Sequence, residues 1–204
     1  MININTTPTL PYKWPIFEFN IENDILPIDS FFKNEINWSP YLDTINKRTP
    51  YNSNMHSDVK LIDSITDIFN NDEIINTICK IASDNDIIKR NYLPTPPQET
   101  NFKDFLKRIT KTIVSIINCP PGSELIPHFD NRDSVGGFIL NLIDNKTSTD
   151  FLDYRNNNQL MYKSPKKKNT GVVWLNCENT MHSYKNDSDE NRIILYSNIL
   201  FKYE

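Results

Sequence analysis

The apolar positions along the chain change period near residue 110. Upstream, "SDVKLIDSITDIFN" places Val59, Ile62, Ile65, Ile68 and Phe69 at spacings of three and four. That is the stripe of an amphipathic helix, with Ser57 or Asp58 as its N-cap. "DEIINTICKIAS" repeats it through Ile74, Ile75, Ile78 and Ile81, and a shorter helix is expected at "NFKDFLKR". The prolines of "YLPTPPQET" make a loop, and "WPIFEFNI" reads as a short edge strand near the start. From about Thr110 the pattern becomes that of strands. "KTIVSIINC", "VGGFILNLI", "TDFLDY", "QLMYK", "TGVVWLNC", "MHSYK" and "RIILYSNILFKY" are rich in β-branched and aromatic residues and separated by Asn, Asp, Gly and Lys clusters. Seven or so short strands in under a hundred residues predict a sandwich or jelly roll. The class is α+β: one domain spanning 1–204, with helical support over about 57–108 packed on one outer face of a β core over about 109–203.

Composition narrows the function classes. The hydrophobic fraction is only 38%, but it is gathered into runs that suit a folded domain with polar loops. A net charge of −4 argues against a nucleic-acid binder, which normally carries a basic surplus. The one basic run, around Lys166 to Lys168, is expected to be a solvated loop. Three cysteines, Cys79, Cys119 and Cys177, without a CxxC spacing, suit a reducing compartment rather than a disulfide scaffold. "MININTTPTLPYKW" has neither the basic nor the apolar part of a secretory leader. No apolar run approaches the roughly 20 residues of a membrane helix. The expectation is a soluble, cytoplasmic protein. Abundant Asn, Ile and Lys suggest an AT-rich coding sequence and hence a viral or similarly small genome.

The chemistry is concentrated in a few residues. The chain has 3 His, and one of them, His128, stands two before Asp130 in "LIPHFDN". In extended chain, positions i and i+2 share a face. His182, about 54 residues later in "TMHSYKND", is far enough along to cross a β sandwich and return beside the first pair. Two imidazoles and one carboxylate make the facial triad of non-haem Fe(II) sites, which leaves the opposite coordination positions open. Arg192, about ten residues further and at the head of the last strand, supplies a planar fork suited to a carboxylate.

Taken together, "PPGSELIPHFD", "FILN", "TDF", "SPKKKNTGVVWLN", "MHSYKN" and "NRIILYS" resemble, in order and spacing, the Fe(II)- and 2-oxoglutarate-dependent dioxygenases, especially their prolyl-hydroxylase-like branch. The resemblance covers about the C-terminal half. It implies a double-stranded β-helix (jelly roll) in which His128, Asp130 and His182 bind Fe(II) and Arg192 grips the distal carboxylate of 2-oxoglutarate. O2 would be the second cosubstrate, and the reaction hydroxylation of an unactivated C–H. The implied substrate is a small molecule or peptide, a prolyl or other amino-acid unit by default. Many members of the family carry a Tyr about ten residues before the first His. Asn118 stands there in this chain, and its amide is a candidate substitute donor to the cosubstrate. Asn141 either orients the cosubstrate or caps a strand. The nucleic-acid-dealkylating branch carries a second Arg where this chain has Asn198.

Plainer readings stand beside these. His56 is expected to be structural or at the surface, Trp174 and Phe138 to be core, and Cys119 and Cys177 to be buried apolar residues. Arg192 could pair with Asp189 or Glu190 at the surface, an interaction of little worth. Two other functions use the same ligands: a cupin-like metal-binding module without turnover, and a metal-dependent hydrolase, which would have no need of Arg192.

Overall fold

In this computed structural model the described residues are 2–4, 16–22, 39–41, 51–53, 109–130, 134–176 and 180–201. The helices expected within 57–108, His56, Cys79 and Cys177 lie outside them. Eight strands follow one another in the C-terminal half: β5 (Ile109–Cys119), β6 (Glu124–His128), β7 (Ser134–Asn141), β8 (Thr149–Asp153), β9 (Gln159–Lys163), β10 (Thr170–Leu175), β11 (Met181–Lys185) and β12 (Arg192–Phe201). Four shorter ones come from the N-terminal part: β1 (Ile2–Ile4), β2 (Ile16–Ile21), β3 (Ser39–Tyr41) and β4 (Tyr51–Ser53). All pairings are antiparallel and build two sheets, ordered β1-β2-β10-β7-β12-β5-β4-β3 and β6-β11-β8-β9. Consecutive strands alternate between the sheets through much of the C-terminal half, as in a jelly roll. No helix among the described residues is long and apolar enough to cross a membrane.

The strand at "IFEFNI" forms, but not at an edge: β2 lies between β1 and β10. The reason is its two-sided apolarity. Ile16 faces the interior with Trp174, whereas Phe17 and Phe19 lie on the other face, opposite Val173 and Gly171. The whole central part of the larger sheet behaves this way. One cross-strand row on its outer face runs Ile116, Leu195, Leu140, Gly171, Phe19, and its hydrophobic members are all buried. A sheet covered on both faces needs continuous apolar runs rather than alternation, which is why "FIL" and "VVWL" read as they do.

Between the sheets lies a cluster of Ile16, Ile139, Phe151, Val172, Trp174 and Ile194, flanked by Ile117, Tyr162 and Tyr196. Phe151 comes from the smaller sheet and meets the Trp174 ring edge-on at 5.6 Å. A second tie between the sheets is Tyr162, whose hydroxyl donates to Glu18 Oε1 at 2.6 Å.

Two loops set up the site. Pro120–Ser123 is a turn closed by Ser123 N–H donating to Pro120 O (3.1 Å), with Gly122 at φ +79°. A proline followed by a positive-φ glycine makes a type II turn, and it sends β5 across into β6. Asn186, fully buried, donates through Nδ2 to the carbonyls of Cys119 (2.8 Å) and Glu190 (2.9 Å). It thereby fixes where β12 starts and brings Arg192 opposite Cys119.

Candidate metal centre

β6 is the edge strand of the smaller sheet and pairs with β11, so that His128 stands directly across from His182. The next matched pair is Leu125 with Tyr184, which leaves two residues on β6 against one on β11. Pro127 sits in that bulge, where its missing N–H costs the ladder nothing. β6 ends at His128, yet Asp130 still turns back to the same point. One ligand atom from each of His128, Asp130 and His182 lies within 4.8 Å of the others. His182 Nε2 is 3.6 Å from Asp130 Oδ1, and the two imidazole centroids are 4.4 Å apart. Bonds of about 2.1 Å to a common metal require ligand atoms no more than roughly 4 Å apart. Closing the widest pair therefore takes less than about 1 Å of side-chain movement.

The donor atoms are prepared for a cation. His182 Nδ1 lies 2.9 Å from Thr180 O, and His128 Nδ1 lies 3.0 Å from Ile126 O. A carbonyl only accepts, so each Nδ1 carries a proton and is occupied, which leaves each Nε2 as the ring's ligand atom. Asp130 is held as well: Trp174 Nε1–H donates to Oδ2 at 2.8 Å, and the Tyr196 hydroxyl lies 3.2 Å from Oδ1. His182 is buried and walled by Trp174 and Phe151, with ring centroids at 5.0 and 5.6 Å. Water is thus kept from one side of the cluster. Phe129 and Tyr154 are half-exposed and in edge contact at 5.5 Å.

Arg192 is 1% exposed, which rules out the surface pairing with Asp189 or Glu190; Glu190 instead meets Lys146 at 3.6 Å. Its Nη2 donates to Thr149 Oγ1 at 2.6 Å, and its guanidinium lies over the Tyr184 ring at 5.0 Å. Thr149 and Tyr184 are opposite one another on β8 and β11, as are Phe151 and His182. Arg192 therefore sits one two-residue step, roughly 7 Å along the strands, from the His182 position. The Cys119 thiol shares this region. Burial pushes its pKa up, with the nearby Arg192 charge and the Tyr184 side chain acting against that.

Two expected contacts fall elsewhere. Asn118 stands opposite Ile193, on the face of β5 turned away from Cys119, Arg192 and the triad. Its Oδ1 is buried without a hydrogen-bond partner among the described residues. Asn141 faces inward, but its amide is fully used: Nδ2 donates to Pro165 O (2.8 Å) and Thr170 O (2.9 Å), and Oδ1 accepts from Asn145 (2.9 Å). It pins the "KSPKKKN" loop, in which Lys163, Lys166 and Lys167 are exposed and Lys168 is half-buried. Phe138 is core, as expected, in edge contact with Phe19 at 6.3 Å. Trp174 is also core, but it reaches the site as well. Its inward parity with Val172, and that of Tyr196 with Arg192, were legible signals for both.

No protein-family model matches the chain, and comparison with curated protein sequences finds no match. Solved structures do match. A Pseudomonas putida prolyl-4-hydroxylase superposes with TM-score 0.53 at 11% identity over 93% of this chain and 94% of its own. A putative oxygenase from Shewanella oneidensis gives 0.52 at 10% identity, covering 93% and 83%. SnoN, a non-haem α-ketoglutarate-dependent epimerase of nogalamycin biosynthesis, gives 0.53 at 10% identity, covering 93% and 79%. Identities this low speak of fold alone: the chain has the two-sheet jelly-roll fold of these proteins.

Proposed function

We propose that the protein is an Fe(II)- and 2-oxoglutarate-dependent oxygenase that hydroxylates an unactivated C–H bond of a prolyl or other amino-acid or peptide substrate. The observation that carries this reading is the convergence of His128, Asp130 and His182, two imidazoles and one carboxylate, within 4.8 Å in a jelly-roll interior. That donor set suits a borderline divalent metal and is too small to enclose it, so the other coordination positions stay open. When bound, Fe(II) and 2-oxoglutarate supply the oxidation: R–H, O2 and the keto acid yield R–OH, succinate and CO2.

The chain's own part is placement. His128 Nε2, Asp130 Oδ1 and His182 Nε2 would hold the metal from one side. Arg192, with Thr149 and Tyr184 beside it, offers a fixed cation to the far carboxylate of a short dicarboxylic acid whose keto-acid end lies at the triad. Trp174, Phe151 and Ile139 keep that side dry. The fold shared with a prolyl-4-hydroxylase supports an amino-acid or peptidyl acceptor. The net charge of −4 disfavours nucleic acid. A cytoplasmic setting suits both a metal that must stay ferrous and the free thiol of Cys119.

Anaerobic titration tests the reading. Fe(II) and 2-oxoglutarate together should produce the weak visible charge-transfer absorption of a chelated keto acid, and His182→Ala should abolish it. Failure of the unaltered protein to bind either Fe(II) or 2-oxoglutarate overturns the assignment. Ester or peptide cleavage with Zn(II) alone, indifferent to 2-oxoglutarate, would establish the hydrolase instead.

A further inference from the structure

The Asp130 carboxylate has two oxygens with different surroundings. Oδ1 faces His182 Nε2 at 3.6 Å, and Oδ2 takes the indole N–H of Trp174 at 2.8 Å, well within hydrogen-bonding range. Trp174 is fully buried and comes from β10 in the larger sheet, while His128 and His182 belong to the smaller one. Its ring can lie flat across β7 because the residue opposite it is Gly137: a Cβ there would stand 2.5 Å from Trp174 Cζ2. The Tyr196 hydroxyl is the lesser contact. It lies 3.2 Å from Oδ1 but 2.7 Å from Asn198 Oδ1, and a phenol has one proton to give.

We propose that Trp174 is a positioning residue for the metal ligand Asp130: its indole N–H occupies Oδ2, so the carboxylate presents Oδ1 alone. Three consequences follow from the geometry. The carboxylate cannot rotate to bring both oxygens to the metal without breaking a charge-assisted hydrogen bond in a dry site. One-oxygen ligation leaves a further coordination position to cosubstrate or O2. The bond also ties the two sheets together at the metal, so the triad is assembled by the larger sheet as well as the smaller. This inference rests on reading His128, Asp130 and His182 as a metal site.

The test is metal affinity, measured by titrating the metal-free protein with Co(II) and Zn(II), with no turnover involved. Trp174→Phe keeps an aromatic side chain, though a smaller one, and removes the N–H; its dissociation constants are expected to rise 10- to 100-fold, the usual effect of removing a ligand's hydrogen-bond partner. Val172→Ala trims the same apolar cluster without touching Asp130; it should lower the melting temperature and leave metal affinity alone. Should Trp174→Phe fail to fold, the unaltered protein still decides the matter by 15N NMR. The Trp174 indole N–H should be protected from exchange and should move when Zn(II) is added. Equal affinities in Trp174→Phe and the parent, or an indole resonance indifferent to Zn(II), overturn the role of Trp174 while leaving the oxygenase reading intact. Absence of metal binding in the parent itself overturns both.

Discussion

Gly137→Ala is the smallest change that loads the site from behind. Gly137 pairs with Trp174 on β10 and with Asn198 on β12, so its backbone is fixed on both sides. The new methyl group would lie 2.5 Å from Trp174 Cζ2, 2.9 Å from Cη2 and 3.0 Å from Cε2. Ordinary carbon contacts begin near 3.5 Å, so the indole must retreat by about 1 Å. It has little space to do so, because Phe151, His182 and Tyr196 surround it at centroid distances of 5.6, 5.0 and 6.4 Å. Overpacking of this kind costs about 1–3 kcal/mol. A chain near 200 residues loses roughly 2–4 °C of melting temperature per kcal/mol, so the midpoint should fall by about 2–12 °C. Because Cε2 is bonded to Nε1, the same displacement also pulls the N–H away from Asp130. Thermal unfolding followed by circular dichroism, in parallel with Co(II) titration, reads both effects. A melting temperature within 1 °C of the parent (about the error of such a scan, and below the shift expected of any overpacked core) would show that Trp174 does not lie against Gly137.

Two further outcomes are expected. Arg192→Ala should weaken 2-oxoglutarate binding by roughly 2–5 kcal/mol, the scale for removing one partner of a buried charge pair, while Co(II) affinity is unchanged; equal cosubstrate affinity in the anaerobic titration would end its assignment. Burial, then the hydrogen bond to Glu18 and its charge, raise the pKa of Tyr162, and burial raises that of Cys119. Above about pH 9 both groups begin to ionise in the unfolded chain but stay protonated in the folded one, so the native state holds more protons and stability must fall as pH rises. Tyr162→Phe should flatten that alkaline decline in urea-melt stability, and an identical slope would contradict the direction of the shift.

Strand positions in the C-terminal half were legible because every segment there carries β-branched and aromatic residues between short polar breaks. "QLMYK" and "MHSYK" became β9 and β11 to the residue. The N-terminal strands Ser39–Tyr41 and Tyr51–Ser53 were not legible: three residues each, containing Pro, Asn and Ser, they carry no β signal of their own and owe their form to pairing at the sheet's end. The grouping of His128, Asp130 and His182 was legible as a spacing, from the two-residue step between the first pair and the length of strand-rich chain before His182. What holds the triad was not. The inward parity of Trp174 was legible, but its bond to Asp130 joins residues 44 apart, one on β10 and the other just beyond β6, and no local pattern records that pairing.

Asn118 shows most sharply where sequence spacing fails. Counting back ten residues from His128 puts it on β5, but a strand position is useful only if its side chain has the right parity. Parity is set by the pairing of β5 with β12. Arg192 opposite Cys119 and Ile194 opposite Ile117 leave Asn118 beside Ile193, on the other face. A slip of one residue would exchange the two faces, but it would also expose the apolar inner face of one strand and bury polar groups on the other, so the register is firmly held. The inward positions at this end of the sheet are thus Ile117 and Cys119, neither of which offers a strong donor. Among the described residues a phenol does line this end of the interior, but it comes from the facing sheet, as Tyr184, stacked beneath the Arg192 guanidinium. A phenol's role in such a pocket depends on which wall the space faces rather than on which strand supplies it, and here β11 supplies both the distal histidine and, two residues on, the ring that steadies the arginine.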